Sequence, residues 1–206
     1  MTRSRRRGGT CILLGVLLLL LAAALTGYNL WDENRAGTAA ASTVRTLKAQ
    51  TPPEPEPEDP TYVIPDYLID SRAAMPAVDV GGYDYIGFLS IPVLNLELPV
   101  MSEWSYPRLK LAPCRFDGSA YTDDLIVAAH NYQRHFGRLK TLNIGDTVVF
   151  TDMEGNVFSY VVSGMEQLLP SQGKAMRAGD WDLTLFTCTV GGQQRVTIRC
   201  ERTEAA

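Results

Sequence analysis

Thr184-Leu185-Phe186-Thr187-Cys188 alternates between two faces and ends on a cysteine, and Gly191-Gly192 separates it from Arg195. Such alternation marks a strand with one buried face. Paired as an antiparallel hairpin with 195–202, with Cys188 opposite Arg195, the run turns Leu183, Leu185 and Thr187 toward Val196, Ile198 and Cys200. The opposite face then carries Thr184, Phe186 and Cys188 with Arg195, Thr197 and Arg199. The first face is apolar and belongs to a core; the second is mixed and lines an outer groove. A slip of one residue would bury Arg195, so the hydrophobic pattern specifies the register.

That register predicts Cys188 and Arg195 side by side at the end of a strand pair. His130 ends a separate run, Leu125-Ile126-Val127-Ala128-Ala129, whose continuous apolar character predicts a strand buried on both faces. A thiol nucleophile, an imidazole that moves protons and a guanidinium that stabilises an anion point to acyl transfer through a thioester. Each residue alone is more often structural; it is the three together, each at a strand end, that carry the argument. The other histidine, His135, lies in Tyr132-Gln133-Arg134-His135-Phe136, which reads as a solvent-facing loop.

Further short strands surround these. Tyr85-Ile86-Gly87-Phe88-Leu89-Ser90-Ile91 is stopped by Pro92, and 94–100 forms its successor. Residues 147–151 and 157–163 flank the turn Asp152-Met153-Glu154-Gly155-Asn156. Only 105–111 and 137–142 suggest short helical turns. Many short strands with little helix predict a closed or nearly closed β-barrel.

The N-terminus is different in kind. Arg3, Arg5, Arg6 and Arg7 precede an uncharged stretch, 8–31, with an apolar centre over 11–25. About 20 apolar residues span a bilayer core. The arginines predict a cytoplasmic N-terminus, with Tyr28 and Trp31 at the far interface. Ala22-Ala23-Ala24 offers the alternative of a cleaved signal peptide, but the apolar run exceeds a usual signal-peptide core. Residues 32–79 lack sustained periodicity and contain Pro52-Pro53-Glu54-Pro55-Glu56-Pro57-Glu58-Asp59-Pro60, a stiff, solvated spacer. Without the four N-terminal arginines, 15 basic residues face 23 acidic ones. The lack of a basic stripe argues against a nucleic-acid partner.

Four cysteines are present. Cys11 is a small hydrophobe of the apolar run, Cys200 falls on the core face, and Cys114 sits in an expected loop beside Pro113. A disulfide between Cys114 and Cys200 is open to an exported protein, since spacing cannot give connectivity. Cys188 is the odd thiol in either case.

Thr184-Leu185-Phe186-Thr187-Cys188 resembles the Thr-Leu-x-Thr-Cys signature of sortases, the membrane-anchored cysteine transpeptidases of Gram-positive bacteria. Ala128-Ala129-His130-Asn131 is similar to their histidine segment, although glycine is commoner where Ala129 stands. Arg195 matches their essential arginine, and Ile86-Gly87-Phe88-Leu89-Ser90-Ile91-Pro92 through Leu98-Pro99-Val100 resembles their opening strand pair. The likeness covers about 83–202.

The resemblance implies a mainly β protein: a sortase-type eight-stranded β-barrel with a few short helices, preceded by a transmembrane helix and a disordered stalk. It divides the chain into a cytoplasmic basic stub and anchor (1–31), a Pro/Glu-rich linker (32–80) and a catalytic barrel (81–206). It also implies Cys188, His130 and Arg195 as catalytic residues, with Thr187, Thr184 and Ala129 at the substrate. No cofactor or metal is called for. The implied partners are LPxTG-like sorting-signal proteins, an amine acceptor such as a peptidoglycan precursor or pilin lysine, and the membrane, with the barrel outside the cell. The segment 170–181 is too short for the long helix of class B sortases, which favours a class D-like enzyme. The competing reading is a noncatalytic exported β-barrel binding or adhesion module on a membrane stalk. Papain-like enzymes place cysteine before histidine, and L,D-transpeptidases need a Ser-x-Gly-Cys pattern that is missing here.

Overall fold

The computed structural model describes residues 3–54 and 64–203, in two compact units, 1–35 and 36–206. The acidic proline run from Pro55 to Pro60 lies outside the described residues. Helix α1 spans Arg3–Gln50. In the first unit its leucines, among them Leu13, Leu17 and Leu20, are exposed on all sides, as suits a helix surrounded by lipid. The stretch is long and apolar enough to cross a membrane.

In the second unit the helix is a different object. Ala36, Ala40, Val44 and Leu47 recur at helical spacing and are buried, Leu47 completely. Leu47 packs with Tyr85, Met101, Ala112, Cys114 and Met153. This corrects the expectation of a structureless stalk from residue 32. The first part of the burying face is Ala36, Gly37 and Ala40, small residues that carry little hydrophobic signal, so the periodicity escapes notice. The far end of the linker is also ordered. Helix α2 (Asp66–Ile69) holds Tyr67 stacked on Tyr121 at 4.7 Å, and β1 (Val78–Asp79) pairs with the first barrel strand.

Eight strands close the barrel: β2 (Asp84–Ile91), β3 (Leu96–Met101), β4 (Cys114–Asp117), β5 (Leu125–Ala128), β6 (Thr147–Asp152), β7 (Val157–Leu168), β8 (Leu183–Cys188) and β9 (Arg195–Arg202). Their order is β2-β3-β4-β5-β8-β9-β7-β6, and β6 returns to β2. The β3–β4 and β5–β8 pairs are parallel and the others antiparallel. Gly87 has φ 151°, and a side chain there would meet the Thr151 carbonyl at 2.1 Å, so only glycine lets β2 and β6 close the ring.

The core holds Leu89, Leu98, Leu125, Val127, Phe150, Phe158, Leu185 and Ile198. Both faces of β5 are buried, as its apolar run predicts, because Ile126 is covered from outside by Leu168 and Met176. The two expected helical turns are α3 (Tyr106–Leu109), capped by the Ser105 hydroxyl, and a 3-10 turn over Phe136–Thr141. Two further elements depart from expectation. Cys114 starts β4 instead of lying in a loop, and α4 (Gly173–Arg177) sits in the β7–β8 connection.

Candidate active site

The β8–β9 ladder has the register the sequence pattern predicts: Cys188 pairs with Arg195 and Leu183 with Cys200. Leu183, Leu185, Ile198 and Cys200 are fully buried, while Cys188 and Arg195 remain partly exposed on the other face. The connection 189–194 is a tight turn. The Thr189 amide donates to the Gln194 carbonyl at 2.9 Å, and Gly191 and Gly192 take the positive φ it needs. Arg195 Nη1 donates to the carbonyls of Gly192 at 3.2 Å and Gln194 at 3.4 Å, so the turn orients the guanidinium.

Strand β5 runs parallel to β8, with Ala128 level with Phe186. Beyond the ladder, the Ala129 amide donates to the Phe186 carbonyl at 3.1 Å, and Thr187 Oγ1 donates to the Ala129 carbonyl at 2.9 Å. The paired register ends at Ala128 and Phe186, two residues before His130 and Cys188 on their respective chains. The imidazole stacks on Tyr132 with centroids 4.1 Å apart. The loop behind it is tight: Phe136 N donates to the His130 carbonyl, and His135 N and Gly137 N both donate to the Tyr132 carbonyl. A Cβ on Gly137 would stand 2.5 Å from the Asn131 carbonyl.

His135 departs from expectation. It is fully buried instead of facing solvent, and neither ring nitrogen has a hydrogen-bond partner. Burial, with the neighbouring His130, pushes its pKa down to about 4. The tight turn folds its side chain inward, which the polar letters around it do not reveal.

A groove of about 280 Å³ ends at Cys188 and Arg195. Phe186 and Phe116 form an aromatic base, edge to face at 5.2 Å. Trp104 and Tyr106, between β3 and β4, make one wall; Leu169, Pro170 and Met176, between β7 and β8, make the other. His130 is not part of this lining; it follows the end of β5 by two residues. Arg177 lies over Phe116 and pairs with Asp117, whose carboxyl its hydrogen bond holds below the usual range.

The three residues expected at the substrate are not in the wall of this groove. Thr184, Thr187 and Ala129 are all buried and none lines the groove. Thr187 and Ala129 tie β8 to the histidine segment, and Thr184 meets Arg199. The groove walls were missed because Trp104, Phe116 and Met176 belong to connections and a short strand without a repeating pattern.

The remaining thiols are separate from the site. Cys114 and Cys200 are both free and buried, in different apolar clusters, so the disulfide between them is not formed. Burial pushes both thiols up to about 12. Among the described residues, no three His, Cys, Asp or Glu side chains gather as a metal site.

The sortase domain family matches residues 89–203, more than half of the chain. The chain belongs to the sortase family. It is 24% identical over 185 residues to sortase A of Bacillus anthracis, covering 85% of each protein. Its fold is similar to a sortase D5 transpeptidase of Clostridium perfringens (TM-score 0.59, 15% identity, 81% of this chain and 99% of that one). It is also similar to sortase C1 of Streptococcus agalactiae (TM-score 0.56, 23% identity, 71% and 80%). Sortase A of Corynebacterium diphtheriae aligns with TM-score 0.55, 19% identity and 84% and 85% coverage. The barrel is thus shared by sortases named A, C and D. As a sortase, the protein is a cysteine transpeptidase acting on sorting signals and amine acceptors, and its apolar helix is a candidate membrane anchor.

Proposed function

We propose that this sortase cleaves an LPxTG-like sorting signal through a thioester on Cys188 and passes the acyl group to an amine. The observation that carries the reading is the pairing of Cys188 with Arg195 at the end of an apolar groove. The peptide's leucine and proline lie against the aromatic base, and the threonine carbonyl reaches Cys188. The thiolate attacks that carbonyl, and Arg195 donates to the oxyanion that develops. His130, as imidazolium, gives its proton to the departing glycine amine, leaving the thioester. The acceptor amine then attacks the thioester carbonyl. His130, now neutral, takes the proton from that amine, and the thiolate leaves. A planar guanidinium with several donors suits this oxyanion better than an ammonium would.

The acceptor is an amine of a peptidoglycan precursor or a pilin lysine. The short β7–β8 connection supports a class D-like enzyme. The N-terminal arginines favour a cytoplasmic N-terminus and an extracellular barrel. A quenched Leu-Pro-x-Thr-Gly-type peptide tests the reading. Full-length protein in detergent should cleave it and consume an added amine such as hydroxylamine, and Cys188→Ala should remove both while keeping the wild-type circular dichroism spectrum. Retained cleavage in that variant would eliminate Cys188 as the nucleophile.

A further inference from the structure

Arg199 lies four residues beyond Arg195 on the same outer face of β9, opposite Thr184. Its side chain is 4% exposed, and four donor contacts are made. Nε donates to Glu166 Oε1 at 2.8 Å, Nη1 to Thr184 Oγ1 at 2.9 Å and to the Met176 carbonyl at 2.8 Å, and Nη2 to the Ala175 carbonyl at 2.8 Å. A buried guanidinium persists only when it is paired and its donors are used. Here the fork is spent on one carboxylate, one hydroxyl and two backbone carbonyls of α4.

Those carbonyls locate the consequence. A helix of five residues has no stability of its own, and its last carbonyls lack helical partners. The N-cap position, Gln172, makes no side-chain cap. Helix α4 contributes Gly173 and Met176 to the groove, and Met176 packs in the cluster of Ile126, Leu168 and the partly buried Phe116 and Phe186. Two arginines pin it: Arg199 from β9 and its own Arg177, which pairs with Asp117 on β4. Room for the Arg199 stem comes from its cross-strand partner Gly164, where a Cβ would stand 3.3 Å from that of Arg199.

We propose that Arg199 is a positioning residue that fixes α4 as a wall of the peptide groove, and so sets peptide affinity without touching the substrate. The kinetic half of this rests on the peptide-cleavage reading above; the structural half does not. The test uses full-length protein in detergent, with Arg199→Met and the near-isosteric Thr184→Val, which deletes one acceptor only. Amide exchange by mass spectrometry should rise about tenfold or more in 169–178 of Arg199→Met, with the barrel strands unchanged, because buried charge-assisted hydrogen bonds are lost.

Peptide KM should rise about tenfold in Arg199→Met with kcat within about twofold, the signature of lost binding instead of lost chemistry. Thr184→Val should raise both KM and local exchange about two- to threefold, in proportion to the single bond removed. Arg199→Lys should not restore KM, since an ammonium cannot span these acceptors. Wild-type exchange in 169–178 in a folded variant would overturn the proposal, as would a fall in kcat at constant KM. If Arg199→Met does not fold, Thr184→Val decides alone: unchanged KM and exchange would overturn it. If the wild-type enzyme cleaves no peptide, the catalytic reading fails while the exchange data still judge the clamp.

Discussion

The outer face of the β8–β9 hairpin carries two arginines that do opposite things. At one end Arg195 stands opposite Cys188, partly exposed, held by two turn carbonyls and lining the groove. At the other end Arg199 stands opposite Thr184, buried under α4 with four of its donors engaged. The two share side chain, strand and face. What separates them is the cover: a glycine turn that curls away from one and a helix laid over the other. A guanidinium becomes available to a ligand only where the fold leaves its donors unspent.

The largest effect should come from the open end. Arg195→Lys should lower kcat by about 10²–10³, the usual cost of an oxyanion donor, with thermal stability unchanged. A variant turning over at the wild-type rate would remove the oxyanion role and erase the contrast with Arg199. Next, the thiols should divide as the two faces of the hairpin do. Iodoacetamide on the native protein should label Cys188 and spare Cys114 and Cys200, shown by peptide mapping. Labelling of Cys200 without unfolding would contradict the register.

The same two thiols predict an alkaline effect. Unfolded cysteines ionise near 8.5, whereas the folded ones hold their protons to about 12. The unfolded state therefore binds fewer protons in that window, and stability should fall as pH rises through it. Cys200→Ala should flatten part of that decline in urea melts; an unchanged slope would argue against deep burial.

The smallest effect concerns His135. Its folded pKa of about 4 lies below the unfolded value, so the unfolded state binds more protons between about pH 6.5 and 4 and stability should drop across that interval. His135→Phe should melt higher than wild type at pH 5 and lose this acid limb. An unaltered limb would place the titration elsewhere.

The sequence carried the hairpin well because its physics is periodic. Leucines at 183 and 185 and the Ile198–Cys200 pair demand one face inside, and no other register keeps Arg195 out of the core. The same logic made β5 legible. It failed where burial does not follow an apolar repeat. The packed face of α1 uses Ala36 and Ala40, small enough to resemble a polar spacer. Helix α4 is too short to show a period, and its stability comes from Arg199, twenty-two residues after Arg177. Thr184 illustrates both outcomes: its pairing opposite Arg199 was read correctly, but its burial and its hydrogen bond to that guanidinium were not.

In the proposed mechanism, acyl transfer passes through Cys188, the thiol opposite Arg195. Intact mass spectrometry after incubation with sorting-signal peptides tests it most directly. The expected result is an adduct equal to the acyl part of the peptide through its threonine, mapped to Cys188, released by hydroxylamine and absent in Cys188→Ala. Peptide cleavage without any adduct under rapid acid quench, or the same adduct in the Cys188→Ala variant, would contradict it.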